Sequence, residues 1–592
     1  MQRKEVDPRF RWKTADIFTD DESWEKEFSS LEEKYADMDF SPYEKGFDKK
    51  ETLLAYLQIM QDFSLRIERL HLYAHMRKDE DVRVSKYSAY VAKVMSLYSQ
   101  VAAKTSFAEP ALTALPDEVL DGYIQDPDLA AYDYSLKKVK KAKPHVLSAK
   151  EEGILALAAD VTSGFRDTFT MLDNANLNLP KATLEGEEVQ MSHALYGLVM
   201  HGEDRATRKD WFEKYYGAYE RLLDAITQTY YGNVKKDIFF ARTKKYDSCQ
   251  QMALDSEDVS PVVYDNLLSA VEQGLPVMHR YVRLRKRVLG LDEMHMYDIG
   301  APLVADAEMK LSFDEAFDLV KKGLAPLGEE YLSLFEKGRT DGWIDVYETE
   351  GKRSGAYCTG AYGLHPYVLL NYQPTTHEVF TIAHEMGHAL HSYFSDGAQP
   401  YEKAGYTIFL AEIASTVNEV LLLKYLSQNT TDEKLKKYLL GYYLEMVRTT
   451  LFRQTQFAEF EQKAHALAEG GTPLTKENLC ETYRTLNEKY YGDGVTHDRQ
   501  IALEWARIPH FYNSFYVYKY ATGIISAMSI VRRILTEGER AVKDYVAFLS
   551  SGGSTDPVSI LQAAGVDLTT KKPFEDAMQE FEETLKAFEQ LI

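Results

Sequence analysis

Two histidines four residues apart, with a glutamate beside the first, carry the strongest chemical signal in this sequence. The segment reads His384-Glu385-Met386-Gly387-His388, and residues i and i+4 lie on one face of an α-helix. Both imidazoles can therefore turn a nitrogen toward one metal ion. Glu385 can reach a metal-bound water without being a ligand. This is the H-E-x-x-H arrangement, in which zinc lowers the pKa of its water and the glutamate accepts the proton.

A catalytic zinc site needs a third protein ligand and an open position for water. No further histidine follows at the metzincin spacing. The next helical stretch instead contains Glu412 and Glu419, which are seven residues apart and so lie on one helix face. Both interrupt an apolar run, where an unpaired carboxylate is unfavourable. One can bind the metal and the other can accept a hydrogen bond from a ligand histidine, but the spacing does not say which.

A second segment is rich in hydrogen-bond donors, namely His510 and the tyrosines Tyr512, Tyr516, Tyr518 and Tyr520. Hydroxide attack on an amide creates an oxyanion, which such donors stabilise. We predict that His510, Tyr516 and Tyr518 take this role, and that Tyr512 and Tyr520 contact the substrate. The alternative is aromatic packing, which is credible because the chain has 41 tyrosines.

The elements that position these residues are mostly helical. Thr375 and Glu378 are spaced as an N-terminal capping pair ahead of the two histidines, so we expect a helix to begin there. Just upstream, Trp343–Tyr347 alternates and Tyr367–Tyr372 is rich in β-forming residues. The sequence therefore predicts a mainly α fold with a small β-sheet beside the H-E-x-x-H helix.

The Tyr367–Tyr372 strand also suggests how a peptide could bind. An extended peptide can add a strand to a sheet edge, which gives affinity with little side-chain selectivity. We expect this strand to present such an edge, with substrate contacts at Tyr367, Leu369 and Asn371.

Composition excludes several classes of protein. The chain has 592 residues and a formal net charge of −23, which disfavours nucleic-acid binding. We see no apolar run of the roughly 18 residues that a membrane span needs and no secretory signal. Three widely spaced cysteines are typical of a reducing compartment. We therefore expect a cytoplasmic protein with no nucleic-acid or membrane partner.

Taken together, these motifs resemble the oligoendopeptidase F group of the thimet oligopeptidase-like family of zinc metallopeptidases. The resemblance covers nearly the whole chain and is carried by His384–His388, Glu412–Glu419, Trp12–Phe18, Gly355–Tyr357, Pro366–Asn371, His510–Gly523 and Ser551–Ser554.

The resemblance implies that Glu412 is the third zinc ligand and that Glu419 supports a ligand histidine. It also implies one Zn²⁺ per chain and a multi-lobed helical shell around a deep channel. The expected substrates are short unfolded oligopeptides, cut at internal bonds. The corresponding regions are an N-terminal helical region (1–110), an oligopeptidase F-type N-terminal domain (111–200) and a catalytic domain (201–592).

Two other functions stay open. One is a metalloprotease with an open cleft that acts on folded proteins. The other is a peptide-binding protein with a vestigial metal site. The complete set of His384, Glu385, His388, Glu412 and His510 counts against a vestigial site, because such a site would be expected to have lost at least one of them.

Overall fold

A computed structural model describes residues 1–304, 307 and 309–592. Helices make up 72% of the chain and strands 3%, so the predicted mainly α class is confirmed. The α-helices, in chain order, are α1 (Asp21–Tyr35), α2 (Lys50–Glu80), α3 (Ser85–Thr105), α4 (Ala108–Thr113), α5 (Asp117–Gln125), α6 (Asp133–Ala142), α7 (Ala149–Met171), α8 (His193–Met200), α9 (Arg205–Thr243), α10 (Cys249–Ser256), α11 (Pro261–Val288), α12 (Phe313–Gly323), α13 (Gly328–Thr340), α14 (Thr376–Ala398), α15 (Tyr401–Ala404), α16 (Ile408–Asn429), α17 (Glu433–Val447), α18 (Arg453–Glu469), α19 (Lys476–Tyr491), α20 (Tyr518–Glu537), α21 (Glu539–Leu549), α22 (Pro557–Ala563) and α23 (Lys572–Glu589).

The strands form two small sheets. They are β1 (Lys181–Leu184), β2 (Glu187–Gln190), β3 (Ile344–Asp345), β4 (Tyr357–Thr359) and β5 (Tyr367–Leu369). Strands β1 and β2 form an antiparallel hairpin. Strands β3, β5 and β4 form the second sheet in that order, with β3 parallel and β4 antiparallel to β5.

The chain divides into two compact units, each assembled from three segments. The first unit comprises Met1–Val146, Glu308–Tyr425 and Ile530–Gly565. The second comprises Leu147–Ala307, Leu426–Ser529 and Val566–Ile592. The sequence-based regions 1–110, 111–200 and 201–592 divide the chain differently, because they follow chain order rather than contacts.

In the first unit, helices α1–α6 enclose an aromatic core. Trp24 lies at its centre, fully buried and stacked on Tyr90 at a centroid distance of 3.8 Å. The β3-β5-β4 sheet packs against α14, the helix that carries the H-E-x-x-H segment. The prediction of a small sheet beside this helix is confirmed.

The expected role of the Tyr367–Tyr372 strand is wrong. Strand β5 is the central strand, so neighbours occupy both of its edges and a substrate cannot pair with it. The side chains of Tyr367 and Leu369 are 0% exposed. The Asn371 amide donates to the backbone carbonyls of Arg353 and Gly355, which stabilises the chain next to the sheet.

The second unit is built around α9, α11, α18 and α19, and its C-terminal helix α23 packs on α11 and α17. Phe574, Phe581 and Phe588 of α23 are fully buried, as expected for one face of an amphipathic helix. At the tip of the β1–β2 hairpin, Glu185 and Gly186 have φ values of 52° and 84°, which is the pattern of a two-residue hairpin turn.

Candidate active site

Helix α14 positions the H-E-x-x-H side chains in the first unit. It begins at Thr376, and the Thr375 hydroxyl accepts a hydrogen bond from the Glu378 amide at 3.3 Å. This N-cap satisfies one of the otherwise unpaired amides of the first turn. With its start defined in this way, the helix places His384 and His388 on one face, directed toward α16.

A glycine between the two histidines lets α16 approach closely. A Cβ atom on Gly387 would lie 2.6 Å from Ser415 Cα and 2.8 Å from the Ala414 carbonyl oxygen. Asn418 of α16 reinforces this contact, because its amide donates to the Ala383 carbonyl at 3.0 Å and its oxygen accepts from Tyr331 at 2.9 Å. The close approach brings two glutamates of α16 to the histidines.

Three side-chain atoms converge between α14 and α16. His384 Nε2 lies 3.2 Å from His388 Nε2, and Glu412 Oε2 lies 3.5 and 3.7 Å from these two nitrogens. Ligand atoms bound to one tetrahedral zinc at about 2.0–2.2 Å lie about 3.3–3.6 Å apart. The two-histidine, one-carboxylate donor set and its spacing therefore fit zinc. It is the one group of this kind found in the part of the chain that the structure describes.

Glu419 contacts the other nitrogen of His384. Its Oε1 atom lies 2.5 Å from His384 Nδ1, so a proton on Nδ1 leaves the Nε2 lone pair facing Glu412. Burial lowers the pKa of His384, but the hydrogen bond to Glu419 and its charge outweigh this and raise the pKa to about 9, so a metal ion that binds Nε2 must replace a proton there. Glu412 thus lies beside the Nε2 atoms of both histidines, whereas Glu419 contacts the opposite ring nitrogen of His384.

The third motif residue, Glu385, is 7% exposed. Burial raises its pKa to about 7, and the charges of Glu412 and Glu419 add to the shift while His384 opposes it. Within the described residues, Oε2 of Glu385 has no hydrogen-bond partner. A buried carboxylate with a free oxygen beside a metal site is suited to accept a proton from water.

The predicted second catalytic segment lies in the second unit. His510 is exposed on a short 3-10 turn, Pro509–Tyr512. Its ring centroid lies 6.2 Å from that of Tyr516 and 5.9 Å from that of Tyr520. The Tyr520 hydroxyl is 3.4 Å from His510 Nε2. His510, Tyr516 and Tyr520 therefore form one partly exposed cluster of donors.

The other two tyrosines of this segment face the interior. Tyr512 is 5% exposed and stacks on Phe169, with ring centroids 4.4 Å apart. Tyr518 is 1% exposed and packs against Tyr264. Side chains buried to this extent are not accessible to a substrate, which contradicts the predicted roles of Tyr518 in oxyanion binding and of Tyr512 in substrate contact. Tyr520 is a partly exposed tyrosine beside His510 and is the better candidate for the oxyanion.

Sequence reasoning missed two residues that build the site. They are Gly387, which the sequence presents only as part of the motif, and Asn418. A glycine inside a helix is unfavourable relative to alanine by roughly 0.5–1 kcal/mol. Its presence between two histidines was therefore an available signal that another backbone approaches closely.

Comparison with known proteins identifies relatives along the whole chain. Residues 198–580 match peptidase family M3, and residues 112–178 match a family described as Oligopeptidase F. Oligopeptidase PepF of Bacillus subtilis (strain 168) is 44% identical, with 100% of this chain and 88% of the relative covered. Group B oligopeptidase PepB of Streptococcus agalactiae is 38% identical, with 100% and 98% covered.

Solved structures agree in fold. A crystal structure from Chlamydophila abortus superposes with a TM-score of 0.95 at 37% identity, and both chains are covered completely. The crystal structure of oligoendopeptidase-F from Enterococcus faecium has a TM-score of 0.72 at 33% identity, with 96% of this chain and 99% of that chain covered. Full-length similarity at this level establishes the family, and this chain belongs to peptidase family M3, among the oligopeptidase F-type peptidases.

Proposed function

We propose that this peptidase is a zinc-dependent endopeptidase that hydrolyses internal bonds of short, unfolded oligopeptides. The observation that carries the proposal is the convergence of His384 Nε2, His388 Nε2 and Glu412 Oε2 at distances of 3.2–3.7 Å. These residues would hold one Zn²⁺ per chain. When bound, zinc would supply a Lewis acid and a water of lowered pKa.

The roles that we propose for the remaining side chains rest on their chemistry and on the resemblance to the family. Glu385 takes a proton from the attacking water and then gives it to the leaving amine. Glu419 holds His384 in the tautomer that presents Nε2. His510, with Tyr516 and Tyr520, donates hydrogen bonds to the oxyanion that forms on the scissile carbonyl.

The choice of short peptides rests on the relatives, whose names describe them as oligopeptidases and oligoendopeptidases. The acidic composition disfavours a nucleic-acid partner, and among the described residues no helix is long and apolar enough to cross a membrane. Turnover of peptides in the cytoplasm is the setting that we propose.

Cleavage of an internally quenched peptide of about ten residues tests this function. Activity should disappear on chelation and return with zinc, and mass spectrometry should locate the cut at an internal bond. Zinc-loaded protein that binds the peptide without cutting it would favour a peptide-binding protein with a vestigial site. Rapid digestion of intact casein would favour the open-cleft protease.

A further inference from the structure

A cavity of about 490 Å³ lies within the second unit and is not part of the metal centre. Its lining combines aromatic rings with arginines. The lining includes Tyr196, Tyr215, Arg448, Arg453, Glu504 and Arg507.

Two of these arginines share a single carboxylate. Arg453 Nη2 and Arg507 Nη2 lie 2.5 and 3.1 Å from the same oxygen, Oε1 of Glu504. The other oxygen of Glu504 accepts from the Tyr483 hydroxyl. Both oxygens are thus engaged, while each guanidinium has five N–H donors. Among the described residues, nothing accepts a hydrogen bond from Arg507 Nε.

The neighbouring ion cluster repeats this imbalance. Arg448, which also lines the cavity, shares Glu445 with the fully buried Arg285. The remaining carboxylate in the lining, Asp173, accepts from the Tyr219 hydroxyl. In and beside the cavity, guanidinium groups outnumber carboxylates by four to three, although the chain as a whole carries a net charge of −23. The groups counted are Arg285, Arg448, Arg453 and Arg507, and Asp173, Glu445 and Glu504. Arg285 and Arg448 are buried, whereas the side chains of Arg453 and Arg507 are 22% and 24% exposed. An excess of positive charge that is largely shielded from water favours the binding of an anion.

The shape of the lining indicates which anion fits. The Arg507 guanidinium lies 5.8 and 5.9 Å from the ring centroids of Tyr196 and Tyr215, within cation–π range, so its plane is held in place. A planar guanidinium fork matches a carboxylate through two parallel hydrogen bonds. The aromatic rings can cover the organic part of the same molecule.

The cavity also lies close to His510 within the second unit. Pro509, the residue before His510, is part of the lining. Desolvation of the ring and then the positive charge of Arg453 lower the pKa of His510.

We propose that this cavity binds the C-terminal carboxylate of a peptide, through Arg453 and Arg507, beside His510. The identity of the ligand as a peptide rests on the proposed function. The site would make the enzyme prefer peptides with a free C-terminus over the same peptides with an amidated one.

The test compares one peptide in two forms, free acid and C-terminal amide, by calorimetric titration of zinc-loaded Glu385→Gln protein. Mass spectrometry verifies that neither form is cut. We expect the acid to bind about tenfold to a hundredfold more tightly, the range for charge-assisted hydrogen bonds. Because binding is read without turnover, the result does not depend on whether the wild-type enzyme cleaves the peptide.

Variants then locate the preference. Arg453→Gln and Arg507→Lys should bring the acid-to-amide ratio toward one. Arg499→Gln is the matched control, since Arg499 is exposed and pairs with Glu220 on the surface, and it should keep the ratio. Circular dichroism verifies folding, and the comparison of acid and amide on Glu385→Gln protein remains decisive if an arginine variant does not fold.

Two outcomes would overturn the proposal. One is equal affinity for acid and amide. If inorganic phosphate then bound the protein and neither peptide displaced it, the cavity would be a site for small anions. The other is an acid preference that persists unchanged in folded Arg453→Gln and Arg507→Lys proteins, because the carboxylate would then bind elsewhere.

Discussion

Replacing Gly387 by alanine should separate the two helices that form the metal site. The new Cβ atom would lie 2.6 Å from Ser415 Cα, whereas carbon atoms in contact are about 3.5–4.0 Å apart. Helix α16 must therefore move by about 1 Å, since the contact is with backbone atoms. Zinc sites accept deviations of about 0.2 Å in ligand distance, so Glu412 would no longer complete the site.

Gly397→Ala supplies the control in the same helix. In the described part of the chain, no atom lies within 4 Å of a Cβ placed on Gly397, so this change should be neutral or stabilise the helix by roughly 0.5–1 kcal/mol. For Gly387→Ala we expect about 1–3 kcal/mol of destabilisation from overpacking and at least tenfold weaker zinc binding. Urea denaturation measures the stability, and competition with a chromophoric chelator measures zinc affinity. Equal zinc affinity in the two variants would refute this account of Gly387.

Three further predictions test the supporting residues. Glu419→Gln should weaken zinc binding about tenfold to a hundredfold, the usual effect of losing such a partner, and unchanged affinity in the chelator assay would argue against its role. Tyr520→Phe removes a donor to the oxyanion and should lower kcat about tenfold or more with little change in KM, whereas Tyr518→Phe should leave kcat unaltered. Equal kcat values for the two variants in steady-state kinetics would contradict the role of Tyr520. Burial raises the pKa of Glu504, but the charges of Arg453 and Arg507 outweigh burial and lower it to about 2. The ionised carboxylate should therefore contribute about 3 kcal/mol to the free energy of unfolding. This contribution should be complete above the unfolded pKa of about 4.3 and disappear as the pH falls toward 2. Urea denaturation should show that Glu504→Gln protein is less stable than wild type at pH 7 and that the difference shrinks at pH 3, and a constant difference would contradict the assignment.

The sequence was most informative where chemistry constrains spacing. His384 and His388 could be assigned to one helix face because the period of an α-helix allows nothing else at i and i+4. The roles of Glu412 and Glu419 could not be separated in that way, because both lie on the same face. Only the position of α16 against α14 distinguishes them, and that position depends on Gly387.

The strand Tyr367–Leu369 shows a different limit. Its composition correctly predicted a strand, but strand propensity says nothing about which neighbours pair with it. A run without alternation is typical of a strand that is buried on both faces, and this signal pointed away from an exposed edge. The choice of Tyr518 had a similar cause. Tyr512 and Tyr518 are buried because they pack against Phe169 and Tyr264, and the spacing of tyrosines in the sequence does not contain this information.

The most direct test of the central claim is the activity of zinc-loaded Glu385→Gln protein on an internally quenched peptide, with the bound metal measured in the same sample. We expect about one zinc per chain and no detectable cleavage, because the ligands are intact and the proton acceptor is absent. Full cleavage by the zinc-loaded variant would contradict the mechanism proposed for this peptidase.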